Sequence, residues 1–141
     1  VQTQSYGAEA RGSAAKSEVI ISDQKIGFPA VRTSDILVTM NQEALDRYSK
    51  DLKEEGVLMI DITNVKQPET RMKVFKVSAT ETAEKTFGTK ICANMLMLGA
   101  LVKATNVVSD ESIEKAMEKT VERKSVTMNI KAYRQGKELV Q

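Results

Sequence analysis

Asp35-Ile-Leu-Val-Thr-Met40, then Asn41, then Gln42-Glu-Ala-Leu-Asp-Arg-Tyr48, and further on Val57-Leu-Met-Ile-Asp61 together decide the fold. Asp35 to Met40 is a nearly continuous apolar run, as a strand buried on both faces requires. Asn41 follows as a natural N-cap, and the spacing predicts a helix from Gln42 to about Leu52. Ala44, Leu45, Tyr48 and Leu52 fall on one side of it; Glu43, Asp46, Arg47 and Lys50 face out. Gly56 reads as the stop beyond its end, and Val57 to Asp61 as a second buried strand. Strand, helix, strand is a βαβ unit, which makes the chain an α/β protein with parallel strands.

Working outward, Lys73 to Val77 is a third strand candidate beyond the break at Pro68. Ser78 with Glu81 three residues on has the pattern of a capping box, opening a helix that ends near Gly88. Lys90 to Thr105 is apolar nearly all round and predicts a central buried helix holding Asn94 as a buried structural amide. Cys92, Met95 and Met97 read as core filler. Ser109 caps an acidic-first helix with Ile113, Met117 and Val121 on one stripe, and a last helix runs from about Ser125 to a stop at Gly136. Toward the N-terminus, residues 1–16 read as loop, Ser17 to Ser22 as a strand, and Gly27-Phe28-Pro29 as a turn.

The 141 residues suit one domain. Lys plus Arg is 21 and Asp plus Glu is 19, a net +2 that argues against a nucleic-acid partner. The cluster Lys115, Lys119, Arg123 and Lys124 alternates with Glu114, Glu118 and Glu122, the pattern of a solvated helix face. There is no histidine, so the commonest general base, the Ser-His-Asp triad and most zinc-enzyme ligand sets are excluded. A single cysteine forms no internal disulfide and holds no iron–sulfur cluster, and it suits a reducing cytoplasm. The longest apolar stretch, Ile91 to Val102, falls short of the roughly 20 residues that cross a bilayer, so no membrane role is expected. The start lacks the features of a secretory signal, and the sequence opens at Val1 without Met, as a processed or truncated piece would.

In open α/β sheets, ligands bind beyond the carboxyl ends of the strands. Asn41 and Asp61 stand there, and the helix start at Asn41 offers backbone N–H groups to an anion. Each also has a plainer reading, as a cap and a turn residue. The most unusual stretch is Ser5-Tyr-Gly-Ala-Glu-Ala-Arg-Gly-Ser13. Gly7 and Gly12 permit close backbone approach. Tyr6 can stack or donate, and Arg11 has the planar fork that matches a carboxylate or phosphate. The alternative is a surface loop in which Glu9 and Arg11 are solvated.

Ser5-Tyr-Gly-Ala-Glu-Ala-Arg-Gly12 followed by Ala15-Lys-Ser-Glu-Val-Ile-Ile-Ser-Asp23 resembles the γ subunit of 2-oxoacid:ferredoxin oxidoreductases, and so does Asp35 to Leu45. Ala93-Asn-Met-Leu-Met-Leu-Gly-Ala100 and Asn129-x-x-Ala132-x-x-x-Gly136 are similar to the family's C-terminal half. The Ser-Tyr-Gly opening with Lys-Ser-Glu-Val-Ile-Ile-Ser is closer to the 2-oxoglutarate branch than to the pyruvate branch. The resemblance implies a three-layer γ-domain-like sheet with flanking helices and a helical C-terminal half over residues 1–141. It also implies an N-terminal truncation, because the family's Gly-x-Gly-Gly-x-Gly strand-loop unit precedes the Ser-Tyr-Gly segment. Ser13 stands where the family has a second Gly.

By the same resemblance the chain is a non-catalytic subunit of a coenzyme A-acylating enzyme. Its partners are the α and β subunits and, where present, a ferredoxin-like δ subunit. Thiamine diphosphate, magnesium and iron–sulfur clusters lie on those partners, electrons leave to ferredoxin, and coenzyme A is the co-substrate. Tyr6, Gly7, Glu9, Arg11 and Gly12 match the motif that faces partners or cofactor. Arg11, with Lys16 nearby, is the candidate for a coenzyme A phosphate. Pyruvate or a branched-chain 2-oxoacid is the alternative substrate. A stand-alone coenzyme A- or nucleotide-binding α/β module, suggested by Asn41, and a purely structural interaction subunit are the alternative functions.

Overall fold

The computed structural model describes residues 2–6 and 15–140. Among them the chain forms two sheets. An antiparallel pair joins β1 (Gln2–Tyr6) to β2 (Ala15–Val19), with Gln2 opposite Val19 and Tyr6 opposite Ala15. The main sheet is parallel, in the order β3 (Ser34–Thr39), β4 (Leu52–Asp61), β5 (Lys73–Val77). Residues 2–6 are therefore a strand and not loop, and the second strand lies two to three residues earlier than the Ser17–Ser22 reading. Cross-strand pairing set those limits, and the β-branched residue Ile21 is left 72% exposed beyond β2.

The βαβ unit is present, with a shorter helix than predicted. α1 covers Gln42–Tyr48, a single 3-10 turn follows at Ser49–Asp51, and Leu52 already begins β4. Gly56 is inside that strand and stops no helix. Ser34 pairs with Leu52 but Ile36 pairs with Val57, so β4 bulges against β3. A Cβ on Gly56 would lie 2.6 Å from Leu52 Cδ1 and 2.8 Å from the Lys53 carbonyl. The bulge closes only around a residue without a side chain.

The remaining helices are α2 (Ala79–Phe87), α3 (Ala93–Thr105), α4 (Asp110–Thr120) and α5 (Arg123–Glu138). Alternation along β4 splits the core in two. Met59 joins Val77, Ala83, Cys92, Leu96 and Met97 on the side of α2, α3 and α5. Leu58 and Ile60 join Leu45 of α1 and Val65 on the other. Helices on both faces make the three-layer α/β arrangement. The link from β4 to β5 carries no helix.

Three local readings are corrected here. Asn94 is exposed, not buried, and its Oδ1 accepts from the Met95 N–H at 2.9 Å in the first turn of α3. The Ser78–Glu81 capping box does not form: the Ser78 side chain makes no cap bond, and the loop after β4 supplies the cap instead. Gly136 does not end α5, which continues to Glu138. It is a crossing point, because a Cβ there would lie 1.9 Å from the Leu96 carbonyl oxygen, and one on Gly99 would lie 1.9 Å from that of Tyr133. The two glycines let α3 and α5 meet backbone to backbone. The helix starts at Ser109 and the stop at Gly88, in the left-handed region at φ 69°, are as predicted.

Candidate functional site

The carboxyl ends of the parallel strands are built around Asp61, the last residue of β4, which is fully buried. Its Oδ2 accepts from the Thr80 N–H at 3.1 Å and the Thr80 hydroxyl at 2.5 Å, and its Oδ1 accepts from the Thr63 N–H at 3.1 Å. Thr63 Oγ1 then accepts from the Glu81 N–H, and Asn64 Nδ2 donates to Thr80 Oγ1. Asp61 is thus more than a turn residue. Its carboxylate satisfies one of the free N–H groups at the start of α2, next to the positive end of the helix dipole. An acidic residue closing an apolar strand made Asp61 visible in the sequence; nothing local marked Thr80 as its partner.

Asn41 is spent on the cap. Its Oδ1 accepts from the Ala44 N–H at 2.8 Å, and α1 beyond it has only seven residues. The neighbouring Gln42 reaches across to accept from the Lys66 N–H at 2.9 Å, tying α1 to the loop after β4. Thr39, the last residue of β3, is 1% exposed, and among the described residues its hydroxyl has no hydrogen-bond partner.

The N-terminal candidates divide. Tyr6 closes β1 opposite Ala15, so the two ends of the glycine-bracketed segment are held side by side. Gly7, Glu9, Arg11 and Gly12 lie outside the described residues. Lys16 sits with Glu18 at 2.7 Å and over the Tyr48 ring at 5.0 Å. Tyr48 is the last residue of α1 and Asn41 its cap, about 10 Å apart along the axis.

Between α4 and α5, the buried Tyr133 donates to Asp110 Oδ1 at 2.5 Å, and Lys137 donates to Oδ2. These bonds, Lys137's first, hold the Asp110 carboxyl below its ordinary range, while burial and then Asp110 push the Tyr133 phenol up. The pair joins α4 to α5, as does the bidentate Arg134–Glu114 contact at 2.8 and 2.9 Å. Burial pushes the Cys92 thiol up as well, which keeps it an inert core residue. Among the described residues no three His, Cys, Asp or Glu side chains gather as a metal would need, and no helix is long and apolar enough to cross a membrane.

This α/β fold has known counterparts. The family model for pyruvate ferredoxin/flavodoxin oxidoreductase matches residues 1–139. The chain belongs to that family. Within the pyruvate ferredoxin/flavodoxin oxidoreductase family it is 46% identical, over 99% of its own length and 76% of the relative's, to the 2-oxoglutarate synthase subunit KorC of Methanocaldococcus jannaschii. The keto/oxoacid ferredoxin oxidoreductase γ subunit from Geobacter sulfurreducens superposes with a TM-score of 0.81 at 44% identity, covering 98% of this chain and 78% of that one. The expected resemblance to γ subunits of the 2-oxoglutarate branch is borne out, and with it the α/β γ-domain-like fold. A Magnetococcus marinus 2-oxoglutarate:ferredoxin oxidoreductase, solved with 2-oxoglutarate, coenzyme A and succinyl-CoA, matches with a TM-score of 0.73 at 19% identity. That chain is covered to 25%, and the likeness is one of fold.

Proposed function

We propose that this chain is the γ subunit of a coenzyme A-acylating 2-oxoglutarate:ferredoxin oxidoreductase, which converts 2-oxoglutarate and coenzyme A to succinyl-CoA and carbon dioxide and passes two electrons to ferredoxin. The 46% identity to a 2-oxoglutarate synthase subunit over nearly the whole chain carries this reading. The donor set supports a division of the work among subunits. With no histidine and one cysteine, the chain does not fit an iron–sulfur cluster, and its described residues do not fit a metal site. In this reading thiamine diphosphate, magnesium and the clusters belong with α, β and, where present, δ partner subunits, and the composition of this chain supports that placement. This chain's part is to pack against them and help shape the coenzyme A side. The unpaired, buried Cys92 supports a reducing, cytoplasmic setting.

Within this reading the Tyr6–Gly12 segment is the part that faces coenzyme A or the partners, with Arg11 taking a phosphate in bidentate fashion. Lys16, already paired with Glu18, is the weaker second cation. Co-purification with the thiamine-binding subunits tests the assignment, and its absence would refute it. In the assembled enzyme, Arg11→Ala should raise KM for coenzyme A by about tenfold while leaving KM for the 2-oxoacid in place. An unchanged KM for coenzyme A would return the segment to a purely structural role.

A further inference from the structure

The link from β4 to β5 leaves a crevice of about 510 Å³ beside the last residues of β5, lined in part by Ile62, Asn64, Lys66, Gln67 and Lys76. Its charge is one-sided. No acidic residue lines it, and among the described residues neither Lys66 nor Lys76 lies in an ion pair. Seven other lysines do. Ile62 adds an apolar surface, 46% exposed, at the same rim.

The floor is rigid, and its hydrogen bonds say what it can hold. The Ile62 N–H goes to the Val77 carbonyl, that of Thr63 to the Asp61 carboxylate, and those of Asn64 and Val65 to the Asp61 carbonyl. The Lys66 N–H goes to Gln42. A free phosphate is held by converging backbone N–H groups, and five successive ones here are already engaged. What remains is two lysine ammonium groups, a glutamine amide and an apolar rim. That set is complementary to carboxylate side chains carried on a chain with an apolar residue beside them.

We infer that this crevice is a docking surface for an acidic, partly apolar segment of a companion subunit. The inference rests on the subunit reading above and adds where on this chain the contact falls. Both lysines are exposed, so reversing their charge leaves the fold alone.

The experiment compares the complex reconstituted from the enzyme's remaining subunits with the wild-type chain, with Lys66→Glu/Lys76→Glu, and with Lys119→Glu at an exposed position of α4 that does not line the crevice. Affinity is read by sedimentation at two salt concentrations. The double variant should keep the wild-type melting temperature alone but bind about tenfold or more weakly, with a shallower salt dependence. Lys119→Glu should assemble as wild type does. If wild type and double variant assemble alike, the inference falls and the subunit reading stands. If wild type does not assemble, both fall. Saturable binding of inorganic pyrophosphate to the free chain, abolished in the double variant, would assign the crevice to a small anion and overturn the docking role.

Discussion

A carboxylate placed where a helix begins does different work from one on the surface, and Asp61 and Asp110 are two cases. Among the described residues Asp61 lies in no ion pair; its carboxylate is held by the Thr63 and Thr80 N–H groups and the Thr80 hydroxyl. Asp61→Ala should cost about 1.5–3 kcal/mol by leaving buried donors unpaired, and Asp61→Asn, which keeps an acceptor, should recover part of it. Urea titration of the three proteins measures this; equal midpoints would refute it. Asp110 gives a pH dependence. Its carboxyl titrates lower in the folded chain than in the unfolded one, Lys137 being the main cause. Its contribution is therefore complete above the unfolded value of about 3.9 and is lost as pH falls through the lower, folded value. Melting curves should show less acid destabilisation below about pH 4 in Asp110→Asn than in wild type. Identical acid limbs would contradict the assignment.

At the scale of elements, the crossing of α3 and α5 carries the C-terminal half. A Cβ at Gly136 or Gly99 would come within 1.9 Å of the facing carbonyl oxygen, which leaves no room for a methyl group. Gly136→Ala should destabilise by about 1–3 kcal/mol or more by forcing the helices apart, although alanine is the better helix former. Thermal melting checks the sign, and a stabilised variant would show that the helices do not touch there. This crossing also explains what the sequence could convey. Helix and strand periods depend on neighbours along the chain, so β3, β5 and the start of α4 were legible. Gly56, Gly136 and Asn94 were misread because a glycine that ends a helix and one that admits another backbone look the same until the partner is known. The β1–β2 pairing was hidden for a related reason: polar residues with little β-branching form a strand there because each finds its opposite. At the site, Asp61 could be picked out from its place after an apolar run, while Thr80 and the Lys66–Lys76 crevice exist only once the link from β4 folds back.

The whole molecule is a scaffold with a parallel sheet, three core clusters and no assembled set of reacting groups among its described residues. It belongs to the pyruvate ferredoxin/flavodoxin oxidoreductase family, and the proposed division of labour leaves the cofactors to its companion subunits. Turnover of 2-oxoglutarate tests that division most directly. The lone chain and the complex would each be given 2-oxoglutarate, coenzyme A and oxidised ferredoxin, with succinyl-CoA and reduced ferredoxin measured together. The account predicts both products from the complex, in a ratio of one thioester to two electrons, and neither from the lone chain. Thioester formation by the lone chain, or a complete complex that is equally active without it, would contradict the account.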